Sequence, residues 1–193
     1  MFNKIIAIFG GSFNPIHVGH IALAKSVLQA RLADEVWLMV SPQNPLKEQN
    51  YLQPEQIRLH LAHEALATEP HIHVSDFEFH LPRPSYTWKT LKALQQAYPT
   101  YEFKLLIGAD NWLIFNKWAN YIDILDSHKI LVYPRPDSPI SKSQLPQNVT
   151  LIKSPLCPFS STDIRQRVRN KESIEGMVPS CIEQKVIDIY NTI

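Results

Sequence analysis

Residues 10–20 read Gly-Gly-Ser-Phe-Asn-Pro-Ile-His-Val-Gly-His, directly after the apolar run Ile5-Ile6-Ala7-Ile8-Phe9. At a helix start, His17 and His20 are three apart and share a face. Gly10 and Gly11 allow a sharp turn and close approach of backbone to a ligand. Backbone N–H groups, a helix N-terminus and two imidazoles in one small volume suit a polyphosphate. The segment has no Gly-Lys-Ser/Thr ending, so it is not a P-loop. It also lacks the spaced glycines of the dinucleotide fold. Zinc needs three or four ligands in fixed geometry, and no cysteine or acidic partner stands at a recognisable spacing, so no protein-held metal is expected. On spacing alone a pair of helix residues without chemistry stays open. That is also the reading for His60 and His63, which have no glycine turn, while His71 and His73 alternate on an expected strand as surface residues.

A second constellation is Phe159-Ser160-Ser161-Thr162-Asp163-Ile164-Arg165. Serine and threonine before a helical segment are good N-caps. Consecutive hydroxyls with free N–H groups also suit phosphate oxygens, and Arg165, one turn beyond Ser161, can add a bidentate guanidinium. A simple helix cap plus a surface arginine is the alternative for this segment alone.

Strand-length apolar runs at 4–9, 35–40, 71–77, 103–108 and 129–133, with a weaker one at 149–153, must position these groups. Several are apolar on consecutive residues, as in strands buried on both faces of a parallel sheet. Helical periodicity fills the gaps: 18–32, a helix opened by Pro54-Glu55, one capped by Ser85, and one near 180–191. The alternation predicts a Rossmann-like three-layer α/β sandwich, its mainly parallel sheet flanked by helices. Ligands in such folds gather at the carboxyl ends of the strands, at a switch in strand order. The loops after Val40 and at Gly108-Ala109-Asp110 should share that edge with the first segment. The stretch 134–147 reads as a long connection.

The chain has 193 residues, 45% hydrophobic and 19% charged, with a net charge of +1. One domain over 1–193 is the default expectation. The charge gives no support to a nucleic-acid footprint, and no apolar run reaches the roughly 18 residues of a membrane span. Two cysteines, Cys157 and Cys181, are too few for a disulfide framework, so reduced thiols and a cytoplasmic location are expected. The oligomeric state is left open.

Taken together, the two segments resemble the paired signatures, His-x-Gly-His and Ser-x-Thr-x-Ile-Arg, of a nucleotidyltransferase superfamily. Within it the chain most resembles the bacterial nicotinate-nucleotide adenylyltransferases. The likeness runs from residue 5 to about 168 and includes Asn44-Pro45-Leu46-Lys47, Arg58, Ser85-Tyr86-Thr87-Trp88, Gly108-Ala109-Asp110-Asn111-Trp112, Trp118 and Arg135-Pro136. The resemblance implies transfer of AMP from ATP to nicotinate mononucleotide, giving nicotinate adenine dinucleotide and pyrophosphate, with Mg²⁺ riding on the ATP phosphates. It puts His17 and His20 on those phosphates, His20 nearest the α-phosphate. Ser160, Ser161 and Arg165 fall on the β- and γ-phosphates, and Lys47 on the facing side. Gly10, Gly11, Ser12, Phe13 and Phe159 complete the ATP side, with Gly108 and Asp110 along the ribose. The acceptor falls to Ser12, Phe13, Asn14, Lys47, Ser85, Tyr86, Thr87, Trp118 and Ala119. Trp118 would stack on the pyridine ring, and backbone N–H groups near Thr87 and Ala119 would receive the carboxylate. By residues alone Trp118 reads as core, since it follows Trp112-Leu113-Ile114-Phe115. Asn14 stands where the family often has Asp, Leu46 where histidine is common, and Asp137 where glycine is usual. Related acceptors (nicotinamide mononucleotide, phosphopantetheine) and a nucleotide-binding regulator without turnover are the competing readings.

Overall fold

The computed structural model describes residues 3–42 and 52–191. Six strands form one sheet: β1 (Lys4–Gly11), β2 (Glu35–Val40), β3 (Ile72–Ser75), β4 (Tyr101–Gly108), β5 (Lys129–Tyr133) and β6 (Val149–Leu151). Their spatial order is β3-β2-β1-β4-β5-β6, and every neighbouring pair is parallel. The order reverses between β1 and β4, where Phe9 pairs with Leu38 on one side and Leu106 on the other.

Alternation along β1 separates two cores. Ala7 and Phe9 join one buried cluster and Ile6 and Ile8 the other. The first is covered by α1 (Val18–Gln29), α2 (Glu55–Ala65), α6 (Ser161–Arg169) and α7 (Ser180–Tyr190), through residues such as Leu23, Leu61, Ile164 and Val186. The second is covered by α3 (Thr87–Ala97), α4 (Ala109–Leu113) and α5 (Tyr121–Ser127), through Leu91, Leu94, Ala109 and Ile124. Helix, sheet and helix make the expected three layers, and a sheet buried on both faces explains the continuous apolar runs.

Some boundaries differ from the sequence reading. β1 continues through Gly10 and Gly11 as extended strand, so these glycines do not make a turn. The chain leaves the sheet after them, and the left-handed residue is Phe13, with φ 45°. Gly11 sits at a close approach instead: a Cβ there would lie 3.0 Å from the Phe13 ring. Gly10 has open space where its Cβ would be. Ser85 does not cap α3; Tyr86 holds the cap position without a side-chain bond. β3 stops at Ser75 because a 3₁₀ turn, Phe77–His80, follows. Between β5 and β6 the chain folds back from Arg135 to Ser138 and makes another 3₁₀ turn at Lys142–Gln144. No helix among the described residues is long and apolar enough to cross a membrane.

Candidate active site

A cavity of about 690 Å³ opens at the carboxyl ends of β1, β2, β4 and β5, at the reversal of strand order. Gly10, Gly11, Ser12, Phe13, Asn14, His17 and His20 line one side of it. Ser160, Ser161 and Arg165 meet them there, Gly108 and Asp110 lie at the end of β4, and Ser85, Tyr86, Thr87, Trp118 and Ala119 form the far end. Thus nearly every site residue expected from the sequence reaches one cavity. Phe159 is the exception: its ring packs edge-on against His17, 5.7 Å between centroids, off the cavity wall. Lys47, with Asn44, Pro45 and Leu46, lies outside the described residues.

The two histidines build the start of α1. His17 is its N-cap, and His17 Nδ1 accepts the Gly19 N–H at 3.1 Å. The His17 N–H donates to His20 Nδ1 at 3.2 Å, and the rings stack at 3.7 Å. A neutral imidazole that accepts at Nδ1 carries its proton on Nε2. Capping therefore sets both tautomers. Burial, reinforced by the positive charge of Arg135 and opposed by Asp163, lowers the His17 pKa from 6.5 to about 4. His17 is accordingly a neutral donor at pH 7.

That depression has a stability consequence. Unfolded His17 takes up its proton below pH 6.5, but the folded site only near 4, so stability falls as pH drops through that window and levels off below it. Between pH 7 and 5 the wild type should lose about 2 kcal/mol more than His17→Asn, measured by urea unfolding. Equal losses in the two proteins would show that His17 is not held neutral.

The second segment closes on the first through hydrogen bonds. Ser161 Oγ donates to Pro15 O at 2.9 Å, and Arg165 Nη1 donates to Asn14 O at 2.7 Å. Ser160 caps α6, bonding Asp163 by its N–H and its hydroxyl, each at 2.7 Å. The hydroxyl protons of Ser160 and Ser161 are thus engaged within the protein. The N–H groups of Ser161 and Thr162, which no helix can close internally, are the first-turn donors facing a ligand role. The Arg165 Nε–H is buried without a protein partner.

Beneath the cavity Asn14 Oδ1 accepts from the Tyr190 hydroxyl at 2.7 Å and the Gln53 N–H at 3.2 Å. An aspartate could accept both bonds, so the carbonyl oxygen of Asn14 suffices for this part of the position's work. Arg58, fully buried, donates to Ser12 O, Ser41 O, Pro42 O and Gln53 O. It ties the first segment to the end of β2 and the entry of α2. Sequence reasoning named Arg58 only by resemblance and missed Tyr190, because their partners are distant in the chain.

On the β4–β5 side, a Cβ at Gly108 would meet Asp110 Oδ1 at 2.2 Å and Tyr133 Cζ at 3.0 Å. Arg135 Nη2 donates to the Tyr133 hydroxyl at 3.0 Å, and Arg135 Nε is 3.6 Å from Asp110. Arg135 therefore reaches the cavity despite Asp137 beyond it. Trp118 packs against Phe115 at 5.3 Å on one side and lines the cavity on the other, so core and cavity share one ring. Its Nε1–H is buried with no partner. Among the described residues no group of three or more His, Cys, Asp or Glu side chains could hold a metal ion.

Fold and site together define a nucleotidyltransferase-type α/β protein. The sequence profile described as cytidylyltransferase-like matches residues 8–167, a span that contains both segments. The chain belongs to the cytidylyltransferase-like family, in its nicotinate-nucleotide adenylyltransferase branch. A "Probable nicotinate-nucleotide adenylyltransferase" of Bacteroides fragilis (strain YCH46) is 47% identical over 186 residues, covering 96% of this chain and 92% of that one. A protein of the same name from Bacteroides thetaiotaomicron is 48% identical over 173 residues, 89% of this chain and 86% of its own length. A solved structure, the Plasmodium falciparum nicotinic acid mononucleotide adenylyltransferase complexed with NaAD, superposes with a TM-score of 0.80 at 20% identity, covering 98% of this chain and 97% of that one. At that identity the likeness speaks to the fold.

Proposed function

We propose that the protein transfers AMP from ATP to nicotinate mononucleotide, releasing pyrophosphate and forming nicotinate adenine dinucleotide for NAD synthesis. The observation that carries this reading is the closure of residues 160–165 on residues 10–20 around one cavity. The relatives' shared name selects the reaction.

In this reading the mononucleotide's 5′-phosphate oxygen attacks the α-phosphorus of ATP in line. A new P–O bond forms as the bond to the bridging oxygen breaks, and pyrophosphate carries the electron pair away. No covalent enzyme intermediate is needed, so catalysis is positioning and charge stabilisation. His20 Nε2–H, beside the α-phosphate, meets the charge that builds there. His17 donates as a neutral ring to a neighbouring phosphate oxygen. The Ser161 and Thr162 N–H groups and Arg165 hold the leaving pyrophosphate. Mg²⁺ bound to the ATP phosphates would keep most of its waters and offset their charge. His17, His20, Ser161, Thr162 and Arg165 bring N–H groups rather than carboxylates to those phosphates, which suits a cation that arrives with its anion.

Trp118 stacks on the pyridine ring while N–H groups near Thr87 and Ala119 take the carboxylate. An amide would aim its own N–H at those donors and leave them unpaired. A cytoplasmic, single-domain protein completes the proposal; one continuous sheet and two free cysteines support it.

The test is pyrophosphate release with nicotinate mononucleotide, nicotinamide mononucleotide and phosphopantetheine in turn. The first should give the highest kcat/KM, and Trp118→Ala should raise its KM about tenfold or more, the scale of base–aromatic stacking. No product from nicotinate mononucleotide defeats the reading. An unchanged KM in the variant returns Trp118 to the core alone.

A further inference from the structure

Glu78 is a carboxylate on the cavity wall that the reaction above does not use. It sits in the 3₁₀ turn Phe77–His80 and is only 6% exposed. Thr90 Oγ1, itself buried, donates to Glu78 Oε1 at 2.8 Å. Burial raises the Glu78 pKa, and the Thr90 hydroxyl opposes the rise by favouring the ionised form. Glu78, Thr90, Ser41 and Ser85 line the same end of the cavity.

These hydroxyls come from separate segments. Ser41 follows β2, Ser85 precedes α3, and Thr90 lies one turn inside it. Thr90 Oγ1 also lies 3.4 Å from Tyr86 O, the carbonyl at the cap position. α3 has no side-chain cap, and this buried pair bonds its first turn to the 3₁₀ turn after β3. On the other side, the Ser41 N–H donates to Gly11 O at 2.9 Å, and Arg58 Nη1 bonds both Ser41 O and Ser12 O. Thus the Thr90–Glu78 bond joins α3 to the 3₁₀ turn, and Ser41, which lines the same end of the cavity, is bonded into the first phosphate segment.

We propose that Glu78 is a positioning residue for the acceptor: through Thr90 it holds the amino end of α3 against the 3₁₀ turn on the cavity wall. This rests on the acceptor reading given above. Leucine has no acceptor for the Thr90 hydroxyl, so Glu78→Leu loosens the acceptor end and leaves the ATP side in place.

The experiment is steady-state pyrophosphate release by the wild type, Glu78→Leu, Thr90→Val and the double variant, with each substrate varied in turn. Each single variant should raise the mononucleotide KM about tenfold and move the ATP KM less than about twofold, the scale of one buried hydrogen bond. The double variant should go no further than the stronger single, because the two changes remove one contact. If Glu78→Leu does not fold, Thr90→Val carries the same expectation. A mononucleotide KM that stays put, or falls as loss of a repelling charge would make it, overturns the role. So do two KM values that rise together, the mark of general loosening. A wild type that makes no dinucleotide from the mononucleotide overturns the parent reading and this one with it.

Discussion

His20→Ala is expected to lower turnover by about 10²–10³, the scale for losing one preorganised donor at a developing charge. The structure makes this more specific than a motif match. His20 Nδ1 is occupied by the His17 N–H, so the neutral ring carries its proton on Nε2. Phe9 and Phe13 flank the ring with centroids at 5.9 and 5.0 Å, and His17 stacks on it. A ring held on three sides needs no reorganisation when charge builds on the substrate. The variant also loses the bond to the His17 N–H, a capping contact worth about 1 kcal/mol. Melting should therefore fall slightly while circular dichroism stays native. His20→Asn, whose amide can accept from one group and donate to another, should recover part of the rate. Near-wild-type turnover in folded His20→Ala would remove His20 from the catalytic role.

The same pair shows why some of the site was legible in the sequence and some was not. Residues 17 and 20 are local: one helix turn brings them together, and their types announce anion chemistry. The strands were legible because a sheet covered on both faces demands consecutive apolar residues, as in Leu105–Ile107. Glycine was harder to read. Gly10-Gly11 pointed to a turn, but a missing side chain serves a close approach equally well, and at Gly11 the Phe13 ring supplies it. Hydroxyls carry two readings in the same way. Ser160 and Ser161 matched phosphate chemistry by type, yet Asp163 and Pro15 engage their protons. What left no local trace is long-range: Tyr190 reaches Asn14 across 176 positions, and Arg58 reaches Ser12 across 46. Only the folded chain places such partners.

Those long-range contacts set the second large effect. Arg165→Ala is expected to lower kcat/KM for ATP by about 10², the loss of a charge-assisted, two-pronged contact to phosphate. The guanidinium is aimed before any ligand arrives. Nη1 bonds Asn14 O, Nη2 reaches Thr162 Oγ1 at 3.2 Å, and Nε–H is buried without a protein partner. Asn14 is in turn held by Tyr190 and Gln53. The arginine is thus fixed on the same backbone that carries the histidines, and its distance from them does not depend on a flexible side chain finding its place. Burial lowers the Arg165 pKa, with the charge of Arg169 adding to it and Tyr190 opposing; an arginine remains charged even so. Lysine keeps the charge but not the planar fork, so Arg165→Lys should recover little. Tyr190→Phe leaves the guanidinium in place and removes only the hydroxyl bond that steadies Asn14. Its kcat/KM for ATP should fall far less than that of Arg165→Ala. If Arg165→Lys restores full kcat/KM, Arg165 acts as a point charge, and the preset geometry is not what the reaction uses.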